Sequence, residues 1–203
     1  MSISHIWLRL RRCAARLSKD CSGLAATEFV MIVPVMLTMF FGMVEFSSGV
    51  AVDRKVTLVA RTLSDLTSQS TTVTDTDLSN FFAASIGILT PYSASPTQST
   101  LTELYVDPTT LKAKVQWSKA STFNSSGAVV LATSSHLPSD IIAIPPALAV
   151  AGTYLIWSEV SYKYVPAVGY VMAKAGVTLS DLTYTRPRQS SCVMYKTTVC
   201  TTL

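Results

Sequence analysis

The longest apolar pattern in the chain runs from Gly23 to Val52, GLAATEFVMIVPVMLTMFFGMVEFSSGVAV. About 20 apolar residues suffice to cross the hydrocarbon core of a bilayer. The helical signal continues past that length. Val52, Val56, Val59, Leu63 and Leu66 recur at i, i+4, i+7, i+11 and i+14, while Arg54, Arg61 and Asp65 fall off the stripe. The pattern predicts one long helix over 24–68, apolar all round in its first half and amphipathic in its second. A separate core helix after a break at Ser47-Ser48-Gly49 is the alternative.

Residues 67–77, TSQSTTVTDTD, read as a polar linker. A second amphipathic helix follows, with Leu78, Phe81, Phe82, Ser85, Ile86 and Leu89 on one face and N-cap candidates from Thr74 to Asp77. TPYSASP (90–96) ends it. Thr102 to Asp107 and Ala113 to Ser118 alternate around Pro108-Thr109-Thr110 and predict a hairpin. Residues 119–152 read as irregular. Tyr154 to Val165 is the clearest strand. Its more apolar face, Tyr154, Ile156, Ser158, Val160, Tyr162 and Tyr164, is expected to turn inward. Val177 to Arg186 and Cys192 to Cys200 are further strand candidates. The fold expected is α+β: a single N-terminal transmembrane helix continuing into an amphipathic spine packed on a mostly antiparallel sheet. The expected divisions are a basic leader over 1–23, the long helix over 24–68 (transmembrane over about 25–46), and an extracytoplasmic domain over 69–203.

Charge gives the helix an orientation. The chain's net charge is +4. Arg9, Arg11, Arg12, Arg16 and Lys19 against Asp20 place all of it before Gly23, and the remainder is neutral. A basic flank on one side of an apolar span is the positive-inside pattern. It predicts a cytoplasmic N-terminus and an exported C-terminal part. A neutral exported part has no basic face for nucleic acid. Mean hydropathy is +0.38 and only 14% of residues are charged, which suits an anchored protein.

Candidate chemistry is sparse. There is no Gly-rich phosphate loop, nucleophile elbow or metal-spaced His/Cys cluster, so no catalytic residue, metal or cofactor is expected, and no small-molecule substrate. His136 is the one histidine after the apolar run and reads as a loop or core residue. Cys13 and Cys21 lie in the basic leader. Cys192 and Cys200 lie on the exported side, where a short loop and an oxidising compartment favour a disulfide. Two free or buried thiols are the alternative.

Glu28 is the costly residue in the apolar run, at about 2–3 kcal/mol for a carboxylate inside a bilayer. Glu45 follows 17 residues later, which is about 25 Å along a helix. The two carboxylates would stand near opposite edges of the membrane. Pro34 removes one helical hydrogen bond. Gly42 and Gly49 are small residues seven apart.

Gly23 followed by Leu24-Ala25-Ala26-Thr27-Glu28 resembles the prepilin pattern of a basic leader, a glycine and a glutamate fifth in the mature chain. Continued through Phe29, Pro34, Gly42 and Glu45, it resembles the TadE/TadG-like family, pseudopilin-like proteins of tight-adherence (Flp, type IVb) pilus assembly. The resemblance implies a minor component or assembly factor of the pilus. It also implies a membrane prepilin peptidase cutting between Gly23 and Leu24. Glu28 would then pair with the new N-terminal amine of a neighbouring pilin or pseudopilin subunit, near an inner-membrane assembly platform. The competing reading is a secreted or anchored binding domain with an ordinary signal sequence, cut near Gly49-Val50-Ala51. A third is an uncleaved membrane-anchored sensor or enzyme partner.

Overall fold

A computed structural model describes residues 22–166, 176–198 and 200. Most of the basic leader, with Cys13 and Cys21, lies outside the described residues.

One helix, α1 (Ser22–Ser68), runs unbroken for 47 residues. No break falls at Ser47-Ser48-Gly49, so the spine is a single element. Its two halves have different surroundings. From Phe29 to Phe46 the large apolar side chains stand out from the body, Phe29 at 68% and Phe46 at 65% exposure. From Val52 onward the amphipathic stripe is covered: Val52, Val56, Val59, Ala60 and Leu63 are buried, and Leu66 is half-buried. Arg54 and Arg61 stay exposed. Burying a Val or Leu side chain contributes about 1.5–3 kcal/mol, so the upper half of α1 is held to the body by its stripe.

After α1 come β1 (Thr72–Val73) and α2 (Asp75–Ile86), followed by a single 3-10 turn at Gly87–Leu89. Thr74 caps α2: its hydroxyl accepts from Asp77 N, and the Asp77 carboxylate accepts from Thr74 N at 2.9 Å. The Thr74 hydroxyl also donates to that carboxylate at 2.7 Å, and this bond first, with the one from Thr74 N, holds the Asp77 carboxyl below its usual range. The main sheet contains β2 (Thr97–Val106), β3 (Ala113–Phe123), β4 (Val129–Thr133), β5 (Ile141–Ile142), β6 (Tyr154–Tyr164) and β7 (Val177–Thr185). Its order is β4-β3-β2-β6-β7, with β5 on β3, and every pairing is antiparallel. The last strand, β8 (Met194–Tyr195), pairs parallel with β1.

The helix packs on β6 and β7. Its direction is fixed by three contacts. A Cβ placed on Gly49 would lie 3.8 Å from the Tyr164 ring. Ser158 Oγ donates to Ala60 O at 2.6 Å, and Ser64 Oγ pairs with Thr185 Oγ1 at 3.0 Å. β6 therefore runs antiparallel to α1. The Tyr164 end of the sheet lies next to the exposed apolar half of the helix, and the β2–β3 turn lies at the far end.

Several local expectations are corrected. Leu155 and Trp157, assigned to the outward face of β6, are buried. Ile142, Ile144 and Leu148 from the connection before β6 cover them and close a second small core with Leu104, Val106 and Val115. Both faces of this end of the sheet are thus apolar, which alternation alone does not reveal. The region 119–152 is less irregular than expected, because β3 extends to Phe123 and β4 and β5 follow. The polar stretch 67–77 holds the last two residues of α1, a strand with Val73 fully buried, and the first three residues of α2. Among the described residues of Cys192 to Cys200, only Met194–Tyr195 forms a strand, and side-chain anchors hold Val193 and Lys196.

Candidate functional site: the N-terminal helix and its junction with the body

Leu24, Glu28, Phe29, Pro34, Gly42 and Glu45 all lie on α1, with Gly23 in its first turn. Long unbranched and apolar side chains favour the helix here. Pro34 deprives the Val30 carbonyl of its usual donor, yet the helix continues through it. Thr38 Oγ1 donates to Val35 O at 2.8 Å one turn on.

Gly23 is exposed, and a Cβ built on it meets nothing within 4 Å. Packing in the folded chain therefore does not demand glycine at this position. Glu28 is exposed on a helix surface of Phe29, Val30, Met31 and Ile32. Gly42 is half-buried.

Glu45 is in a different setting. It is 3% exposed, at the level where the body begins. Tyr164 lies beside it. Burial pushes the Tyr164 phenol above its ordinary range, a bond with Ser48 opposes that rise, and the fields of Tyr92 and Glu45 add to it. Glu28 and Glu45 are thus not equivalent: one is on the bare part of the helix and the other is at the junction. Gly49, one turn on, faces the Tyr164 ring, with room for a Cβ at ordinary contact distance.

At the top of α1 the C-terminal stretch fastens the body. The Arg188 backbone N–H donates to Ser68 O at 2.8 Å, and its guanidinium meets Asp65 at 2.6 Å. α1 has no basic residue in its own last turn, so Arg188 supplies a cation where the helix dipole favours one.

A buried carboxylate that the sequence pattern did not single out anchors the following residues. Glu103, on β2, is 2% exposed and accepts the Val193 N–H at 2.6 Å. Trp117 Nε1 donates to Val193 O at 2.7 Å. Burial pushes the Glu103 carboxyl up to about 8, against the opposing pull of Val193 and the Trp117 indole. Glu103 reads in the sequence as one polar residue in an alternating strand, and the register that pairs it with Trp117 is not visible there. Nearby, Asp75 binds Lys196 and the Tyr195 hydroxyl. These two bonds hold the Asp75 carboxyl down, Lys196 foremost. Cys192 and Cys200 face each other across this segment, with Cα atoms 6.2 Å apart and their sulfurs in contact.

The outer face of the sheet holds an open cleft of about 520 Å³ lined by Gln98, Thr100, His136, Glu159, Ser161 and Ser180. His136 Nε2 lies 2.8 Å from Glu159 Oε2, and its ring meets Trp157 at a tilt, with centroids 4.9 Å apart. A hydroxyl chain of Thr102, Ser118 and Ser134 ends on the backbone N–H of His136 instead of its ring. It therefore does not activate a serine through the imidazole. Among the described residues no group of three or more His, Cys, Asp or Glu is placed to hold a metal ion.

No curated protein and no solved structure matches the chain. The family model described as TadE-like protein matches residues 23–63, from the candidate cut site to the buried Leu63. The match covers the residues whose motif resembles that family, and it lies within α1.

Proposed function

We propose that this protein is a minor pilin-like (pseudopilin) component that takes part in assembling a tight-adherence (Flp, type IVb) pilus. It acts by assembly and carries no catalysis of its own. The observation that carries the reading is the TadE-like match over 23–63. The matched helix has a bare apolar half and a half buried in a body. In this reading residues 1–23 are a cytoplasmic leader, about 25–46 cross the inner membrane, and 69–203 are exported. A prepilin peptidase cuts after Gly23. The new amine at Leu24 is neutralised by Glu28 of a neighbouring subunit. Phe29, Pro34 and Gly42 lie on the surface other subunits or the assembly platform meet. Cys192 and Cys200 form a disulfide on the exported side, their Cα separation falling in the range such bonds require.

The signal-sequence reading fits less well. A cut near Gly49-Val50-Ala51 leaves the buried stripe from Val52 on. It removes Glu45, Ser48 and Gly49 from around Tyr164, opening the base of the body.

The assembly role is tested with Glu28→Ala expressed in place of the native chain. The variant is expected to reach the membrane and be processed, while surface pili fall to background by electron microscopy. Normal piliation would remove the pairing role from Glu28.

A further inference from the structure

Assembly through α1 leaves one built feature of the body unused: the hydrogen-bonded chain under His136. Thr102, Ser118 and Ser134 join β2 and β3 to the turn after β4, and Ser134 Oγ accepts the His136 N–H at 3.0 Å. The His136 ring lies against Trp157, and its Nε2 is 2.8 Å from Glu159 Oε2. A half-buried glutamate on β6 is thus fixed by groups from three other parts of the body. An exposed ion pair adds little stability, whereas locked supporting side chains are what a binding site requires. Around Glu159 the strand register sets a lattice. Thr100, Glu159 and Leu182 lie side by side across β2, β6 and β7, and Gln98, Ser161 and Ser180 form the next row. Neighbouring strands are about 4.8 Å apart, so these six side chains floor a surface about 10 Å wide. One further row, Lys163 with Thr178, separates it from the end of the β6–β7 hairpin. The cleft above the floor measures about 520 Å³, within the roughly 300–1,000 Å³ of small-molecule sites.

The lining selects among ligands. Among the described residues no lysine or arginine lines the cleft, so an oxoanion finds no cation there. Leu182 and Val160 are its only large apolar residues, too few for a lipid. What the strands do present is an amide, three hydroxyls and a carboxylate at fixed spacing, with the exposed Leu182 as an apolar contact. His136 takes Glu159 Oε2 and leaves Oε1 to accept from a ligand. A ligand with several hydroxyl groups, each both donor and acceptor, matches that set. We propose that this cleft binds a neutral saccharide, with Glu159 accepting from sugar hydroxyls and Gln98, Ser161 and Ser180 completing the contacts. His136 is a positioning residue that holds Glu159 in place. The sugar is bound and not altered, and its binding does not depend on the membrane role of α1.

The test uses the full chain in a detergent without a sugar headgroup. It is applied to an array of neutral oligosaccharides of glucose, galactose, mannose and N-acetylglucosamine, and the Kd of the best binder is measured by saturation-transfer NMR. At least one oligosaccharide is expected to bind. Glu159→Gln should weaken it by about tenfold or more, the loss expected when a charged acceptor becomes neutral. Ser180→Lys, which fills the cleft from an exposed position, should abolish binding at an unchanged unfolding midpoint. His136→Ala should weaken binding as well, and His136→Gln, which keeps a donor for Glu159, should restore part of it. Lys112→Ala, exposed at the β2–β3 turn, should have no effect. Silence across the whole array would overturn the proposal. Binding that survives both Glu159→Gln and Ser180→Lys would overturn it by placing the sugar elsewhere. Capture of oligolysine, lost in Glu159→Gln, with no sugar bound would overturn it by making the cleft a site for cations.

Discussion

At the residue scale, Gly23 and Glu103 make opposite demands on the chain. Gly23 has open space where a side chain would go, so its identity is free of packing constraints. Gly23→Ala is therefore expected to leave the unfolding midpoint unchanged, while the uncut precursor accumulates when the peptidase is co-expressed, as read by immunoblot. Normal processing of that variant would move the cut site elsewhere. Glu103 is constrained by packing throughout. Its folded value, about 8, lies above the ordinary 4.5, so the folded state holds a proton that the unfolded state gives up. Stability should therefore fall as pH rises from about 4.5 through about 8, by on the order of a few kcal/mol in all. Glu103→Gln keeps an acceptor for Val193 and has no proton to lose. It should flatten that slope in denaturant titrations of the full chain across this range. An unchanged slope would mean that Glu103 does not govern it.

At the element scale, the segment carrying Cys192, Val193 and Tyr195 behaves as a strap. Its strand pairing amounts to two residues, too few to hold it. It docks instead through Glu103, Trp117 and Asp75. A bond between Cys192 and Cys200, eight positions apart, would remove loop-closure entropy worth about 2–3 kcal/mol from the unfolded chain. Cys200→Ser should lower stability by about that amount, and reductant should have the same effect on the native chain but none on the variant. Equal stability with and without reductant would show that the thiols are not bonded. Sequence pattern reached the helices better than the strap. A 3.6-residue period identifies the stripe from Val52 to Leu63 because one face of one element carries the whole signal. Strap residues carry no period, since Val193, Tyr195 and Lys196 are held by partners 76 to 121 positions away. The same limit explains Leu155 and Trp157. Their burial depends on Ile142, Ile144 and Leu148, which alternation within β6 does not report.

At the scale of the whole molecule, α1 joins the bare apolar half to the covered half without interruption. The residues proposed for the site stand out in the sequence, Gly23, Leu24 and Glu28 by spacing and Glu45 by its charge. What spacing did not show is that Glu45 is buried at the junction with the body while Glu28 is exposed. Both lie in an apolar run, and the fold, which brings Tyr164 beside Glu45, separates them. The family match ends at residue 63, within α1.

The central claim is that the functional chain begins at Leu24, with Glu28 fifth. The most direct measurement is the N-terminal sequence, with intact mass, of the protein recovered from cells that assemble the pilus. The account predicts a mature chain starting at Leu24. A start near Val52, or an intact leader on the assembled protein, would contradict it.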